Sequence, residues 1–167
     1  FHSLCARILR RHGERLGFSP HFTIYDTDDS RRLMKDCMKT LNIEEKVLGH
    51  KAILGEIGRA KDKLLSPQDV AAQGGQDFRL KKVAEAYVAY QKRLREADAM
   101  DFDDLLYNTV ALFLENPDVL EQYQRRWRYL MVDEYQDTNE AQDLLFRMLS
   151  REDSNLFLVG DVKQSIY

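Results

Sequence analysis

Apolar residues recur at helical spacing through most of the chain and gather into short unbroken runs only towards its C-terminal end. Over residues 4–16 the apolar positions Leu4, Ile8, Leu9 and Leu16 fall near one face, while Arg7, Arg11 and Arg15 recur every fourth residue on another. That pattern predicts an amphipathic helix with a solvated arginine stripe. The segment FTIYD, residues 22–26, reads as a short extended piece. Thr27 then offers an N-cap to a helix whose first turn holds Asp28 and Asp29, where acids favour the helix dipole, with Leu33, Met34, Cys37 and Leu41 as its apolar stripe. A further helix is expected over about 48–65, after which Ser66-Pro67-Gln68-Asp69 reads as N-cap, proline at the first helical position and an acid at the third. The adjacent glycines of AQGGQ, residues 72–76, predict a loop. Over 78–97, Leu80, Val83, Tyr87, Tyr90, Leu94 and Ala97 lie on one nearly heptad stripe, with Lys81, Lys82, Lys92, Arg93 and Arg95 mostly outside it, the pattern of a core-packing helix.

The character then changes. Asp101 caps an expected helix to about residue 114, and Asn116-Pro117 opens the next. Residues 129–132 and 156–159 are short apolar runs of strand type, each stopped by acid: Asp133-Glu134 in one case, Gly160-Asp161 in the other. Between them, residues 139–149 read as a helix with Leu144, Leu145 and Met148 facing inward. Strand, helix and strand in so short a span predict a right-handed parallel crossover, which brings both strand C-termini to one sheet edge and gathers Asp133, Glu134 and Asp161 there. Ligands of open α/β sheets bind outside the carboxyl ends of the strands, so these acids are candidates for function rather than a solvated turn. An apolar strand followed by Asp-Glu suits a nucleoside triphosphatase, with the Asp holding Mg²⁺ and the Glu activating a water. A metal nuclease built from Asp133, Glu134, Asp137 and Asp161 would use the same residues. No G-x-x-x-x-G-K-[ST] phosphate-binding run occurs in residues 1–167.

Composition narrows the classes. With 167 residues, 44% hydrophobic and 32% charged, the chain can bury a core of ordinary domain size. A net charge of −3 gives no global signature of nucleic-acid binding, so any such binding rests on local patches. No window approaches the ~20 apolar residues of a membrane span, and the opening FHSLCARILRR lacks signal-peptide order, so a cytoplasmic protein is expected. Cys5 and Cys37 share no paired motif and fall on apolar faces, as reduced core thiols do. Phe1 stands directly before a periodic helix with no cap, from which an excised fragment is expected.

The segments FHSLCARILRR, FTIYDTDDS, MDFDDLL, VDEYQDTNEAQ and LVGDVKQSIY occur in the order of similar segments in the UvrD/PcrA/Rep helicases of superfamily 1, and the resemblance covers essentially the whole chain. It implies an α/β fold: a mostly helical fragment of a RecA-like P-loop NTPase domain (1A) with an inserted all-helical subdomain (1B). Residues 1–21 would belong to 1A, 22–99 to 1B, and 100–167 to the return into 1A with the Walker B and third helicase motifs. The phosphate-binding loop would lie upstream. Residue by residue, the resemblance implies that Asp133 binds Mg²⁺, that Glu134 is the base for water, and that Gln164 senses the γ-phosphate. Tyr167 would be an aromatic platform for a base of single-stranded DNA, with His2 and Ser3 near the strand's phosphates. The inserted helices would face the duplex junction, where Lys51, Lys61 and Lys63, with Lys46 and Arg59, form the basic cluster. ATP and Mg²⁺ are the implied cofactors, 3′-to-5′ unwinding in DNA repair or replication the implied activity, and the remaining helicase domains the implied partners. Residues 1–167 alone are expected to be inactive, and to self-associate through exposed sheet edges. Val162-Lys163 departs from the UvrD/PcrA pattern towards an AddA/RecB-type helicase-nuclease subunit, and a non-catalytic helical binding module is the reading from another class.

Overall fold

Polar side chains set most of the described helix starts. The computed structural model describes residues 1–126, 129–133, 139–150 and 155–159. Helix α1 (His2–His12) passes through a 3₁₀ turn at Gly13–Leu16, which Gly17 ends in the left-handed region at φ 90°. After β1 (Thr23–Tyr25), α2 (Thr27–Thr40) is capped by Asp26, whose carboxylate accepts from the Asp29 backbone while the Asp29 carboxylate accepts from that of Asp26. Helix α3 (His50–Asp62) follows Gly49, with the Glu45 carboxylate accepting from the His50 backbone at 3.2 Å. The same reciprocal box opens α4 (Pro67–Gly74) through Ser66 and Asp69, and Asp77 caps α5 (Phe78–Glu96). Strand β2 (Ala99–Asp101) leads into α6 (Phe102–Glu115), boxed by Asp101 and Asp104, and then α7 (Pro117–Arg126). Strand β3 (Tyr129–Asp133), α8 (Glu140–Leu149, capped by Asn139) and β4 (Asn155–Val159) complete the described elements.

Two apolar clusters result. One joins α1, α6, α7 and α8 through Cys5, Ile8, Leu105, Phe113, Tyr123 and Leu145. The other lies among α2, α3 and α5, around Met34, Ile53, Ile57, Tyr87 and Leu94. The chain leaves the first cluster at β1 and returns at β2, which pairs with β1 in parallel with Thr23 opposite Ala99 and Tyr25 opposite Asp101. All of α2 to α5 therefore hangs between two adjacent strands. The fold is mostly helical with little parallel sheet, as an α/β reading of the sequence expects. Among the described residues no helix is long and apolar enough to cross a membrane. Both cysteines are free and buried, and burial pushes the Cys5 thiol up to about 11.

Several local expectations change. The cap of α2 is Asp26, with Thr27 already helical, because only Asp26 can exchange backbone hydrogen bonds with Asp29. The helix expected over 48–65 is shorter at both ends. It closes where Leu64, at φ 61°, lets the Leu65 N–H reach the Ala60 carbonyl at 2.8 Å. The expected loop at 72–76 is helical as far as Gly74. A Cβ there would lie 3.0 Å from that of Leu80, so the glycine permits the close approach of α4 to α5 instead of breaking α4. Ala97 is exposed at the end of α5, outside the buried stripe. The inward face of α8 is Ala141, Leu145, Phe146 and Leu149, with Leu144 and Met148 only partly buried.

Candidate functional site

The crossover is the first candidate, and its backbone is parallel and in register. Tyr129 pairs with Asn155, and each following residue pairs with its counterpart as far as Asp133 opposite Val159. Asp133 is thus the last residue of β3, level with the last residue of β4. Helix α8 carries the connection and is seated on the first apolar cluster by Leu145 and Leu149, each at most 2% exposed. Gln124 of α7 donates to the Met148 carbonyl at 2.6 Å, fixing the end of α8. Glu134, Asp137, Asp161, Gln164 and Tyr167 lie outside the described residues. Among the described residues no group of three or more His, Cys, Asp or Glu could hold a metal ion.

The residues expected near nucleic acid are distributed over two elements. His2 is half-buried at the start of α1, its ring stacked on Phe102 with centroids 4.0 Å apart and planes 13° from parallel. Burial holds its imidazole below the ordinary value. Ser3 is exposed beside it. Sequence reasoning does not single out Phe102, which follows the Asp101 cap and is 56% exposed although it is aromatic. Position alone marks it: the first residue of a capped helix projects near whatever packs against the cap. Lys51 and Lys63 are exposed at the two ends of α3. Lys51 borders an open pocket of about 270 Å³ that also includes Arg31, Tyr90, Phe102 and Asp103.

Lys61 is a correction. Grouped by sequence with the surface lysines, it is 1% exposed and cannot meet a phosphate. Its Nζ lies 2.7 Å from Asp101 Oδ2 and 3.0 Å from Asp104 Oδ1, over the ring of Tyr90 at 5.1 Å. The Tyr90 hydroxyl donates to Asp101 Oδ2 at 2.9 Å, and Gln91 donates to Asp104 Oδ1 at 3.2 Å. Asp101 and Asp104 also exchange backbone hydrogen bonds at 2.9 and 3.0 Å as the cap of α6. Burial works against the lysine's charge, but the two carboxylates outweigh it and raise Lys61 above its ordinary value. Burial likewise works to raise Asp101; the charge and hydrogen bond of Lys61 prevail and hold it low. Asp104 is pushed up to about 6 by burial first and then by the Asp101 carboxylate. One ammonium therefore ties the helical excursion to the strand that returns from it, and this network is a structural clamp rather than a surface site.

Comparison with known proteins gives the family. The chain matches the family model for the UvrD/REP helicase N-terminal domain over residues 1–167. It is 46% identical over 167 residues to the ATP-dependent DNA helicase PcrA of Leuconostoc citreum, covering 100% of this chain and 22% of that protein. It is 44% identical over the same span to the PcrA helicases of Staphylococcus epidermidis and Staphylococcus aureus, covering 23% of each. The chain thus spans less than a quarter of the length of these relatives.

Proposed function

The chain belongs to the UvrD/REP helicase N-terminal domain family, and we propose that it is the part of an ATP-dependent DNA helicase that carries the water-activating acids and one face of the DNA path. The observation that carries this reading is the in-register parallel pair β3–β4, which places Asp133 at the carboxyl end of a sheet where nucleotide sites form. Helices α2 to α5 correspond to the inserted subdomain 1B, and the elements around them to domain 1A; the separate apolar cluster of those helices supports the division. The PcrA relatives favour the UvrD/PcrA branch over the AddA/RecB type despite Val162-Lys163.

Asp133 offers a hard carboxylate oxygen, the donor type that suits Mg²⁺, and the ion bound with ATP supplies neutralisation of charge on the phosphates. Glu134 takes the proton of the attacking water. Gln164 follows the state of the terminal phosphate, and Tyr167 stacks on a base of the single strand. His2, held by its stack on Phe102, and Ser3 meet the phosphates of the same strand. The protein works in the cytoplasm, in DNA repair or replication.

Tailed duplexes test the reading. With ATP and Mg²⁺, the protein carrying this chain is expected to displace a strand from a 3′-tailed duplex and leave a 5′-tailed one intact. Absence of both displacement and DNA-stimulated hydrolysis would favour a binding module instead.

Duplex contact through α3 gives a second expected result. Lys51 and Lys63 lie roughly 18 Å apart along the helix axis, far enough to meet separate phosphates. Replacing both with alanine is expected to flatten the salt dependence of duplex-junction binding by about 1.8 in log–log slope, about 0.9 for each phosphate no longer neutralised. An unchanged slope would leave them as surface charge.

A further inference from the structure

The arginine stripe of α1 has no part in the reading above, yet it borders a groove of about 450 Å³ between α1 and α7. Arg7, Arg10 and Arg11 stand on one side and Arg126 on the other, with Ile8 and Tyr123 among the lining. Ile8 and Tyr123 are 1% and 5% exposed, so the groove is shallow and its floor is firm. Among the described residues no carboxylate lines it. The acids of α7 are engaged elsewhere: Asp118 with Arg15 at 2.9 Å and Glu121 with Arg125 at 2.6 Å. Arg10 is turned towards the Pro20 and Phe22 carbonyls, lies 3.9 Å over the Phe22 ring, and helps hold the Asp98 carboxyl below its ordinary value, so its charge is partly shared. Arg7, Arg11 and Arg126 form no ion pair among the described residues. The positive field reaches His12, whose imidazole is held below its ordinary value by burial first and then by Arg15 and Arg11.

Like charges gathered around one concavity repel each other, and a bound polyanion removes that cost. Arg7 and Arg11 are one helical turn apart, so they present adjacent guanidinium forks along a line, a geometry that grips phosphate oxygens in pairs. Among the described residues the lining offers no exposed aromatic ring on which a base could stack, so the groove is suited to backbone rather than base contact. We infer that the α1–α7 groove is a phosphodiester-backbone site, separate from the contacts proposed at His2, Ser3, Tyr167, Lys51 and Lys63. The choice of nucleic acid over another polyanion rests on the helicase reading.

The test measures affinity by fluorescence anisotropy across a salt series, using the protein that carries this chain, a mixed-sequence single-stranded oligonucleotide and its duplex. For Arg7→Ala with Arg11→Ala, the log–log slope is expected to fall by about 1.4 if the strand in the groove is single, or about 1.8 on the duplex if it is double. Arg7→Lys with Arg11→Lys keeps the charge and is expected to retain most of the slope. Both residues lie on a helix surface that alanine suits, so an unchanged thermal midpoint separates weakened binding from a damaged fold. Unchanged slopes on both oligonucleotides would overturn the inference, and so would binding of a polyglutamate peptide that alone depends on Arg7 and Arg11. If the unaltered protein bound neither oligonucleotide even at low salt, the helicase reading itself would fail.

Discussion

Glutamine in place of Glu134 is expected to lower DNA-stimulated ATP hydrolysis by roughly 10²- to 10⁴-fold in the protein carrying this chain. Binding of a non-hydrolysed ATP analogue and of single-stranded DNA should stay within about threefold of the unaltered protein, since that is only ~0.6 kcal/mol. The amide keeps the shape of the carboxylate and one accepting oxygen but cannot take a proton from water. A role for Glu134 in holding nucleotide would instead weaken analogue binding, and a role in the fold alone would lower the unfolding midpoint. Comparable turnover in the two proteins would remove Glu134 as the base. Residues 1–167 in isolation give a companion expectation. They contain no phosphate-binding loop sequence, so too few groups stabilise the developing phosphate charge for turnover to rise above background.

How far the fold could be read in advance depended on the range of the interactions involved. Ser66-Pro67-Gln68-Asp69 and Asp101 before α6 are local signals, and each cap is present as expected, whereas Asn139, read as the first residue of α8, is its cap. At α2, two neighbouring residues could each cap by type, and the reciprocal bond to Asp29 decides for Asp26. Strand β2 is three residues long with every position buried, so no alternation marks it, and it exists because β1 lies alongside. Gly74 and Lys61 share one cause. A glycine pair usually breaks a helix and a lysine usually faces water, but Leu80 and the Asp101–Asp104 pair approach them only after the chain has folded back. At the candidate site, the strand–helix–strand order and the position of Asp133 follow from hydrophobic pattern alone. The role proposed for Glu134 follows from an Asp-Glu pair after an apolar run, whereas those proposed for Gln164 and Tyr167 come from motif order, because single residues of their kind carry no periodic signal. Phe102 illustrates the converse: its ring stacks on His2 from 100 residues away in the chain, which no local pattern contains.

Lys61→Met is expected to destabilise the protein by about 3–5 kcal/mol, because removing one partner of a buried ion pair strands the other. Methionine fills most of the space of the lysine stem, so the loss reads charge rather than cavity. The stranded groups are Asp101 and Asp104, 8% and 1% exposed. With Lys61 present, the two respond to pH in opposite directions. The folded Asp104 is raised from 3.8 to about 6, so its stabilising contribution is complete below 3.8 and is lost as pH rises through 6. The folded Asp101 lies below 3.8, so its contribution is present above that value and is lost as pH falls through the depressed one. Without the ammonium, the main influence holding Asp101 low is gone and its burial remains. Both carboxyls then favour the protonated form in the folded state, so the variant gains stability relative to the unaltered protein as pH falls. Urea titrations of both proteins at pH 5 and pH 8, followed by far-UV circular dichroism, should show a markedly smaller gap at pH 5. Adding Asp101→Asn and Asp104→Asn to the variant should recover part of the loss at pH 8, since asparagine still caps a helix and carries no charge to bury. A gap that is equal at the two pH values, or smaller than about 1 kcal/mol at both, would mean that Lys61 contributes packing alone. The excursion of α2 to α5 would then be held to β2 by its apolar packing and not by this clamp.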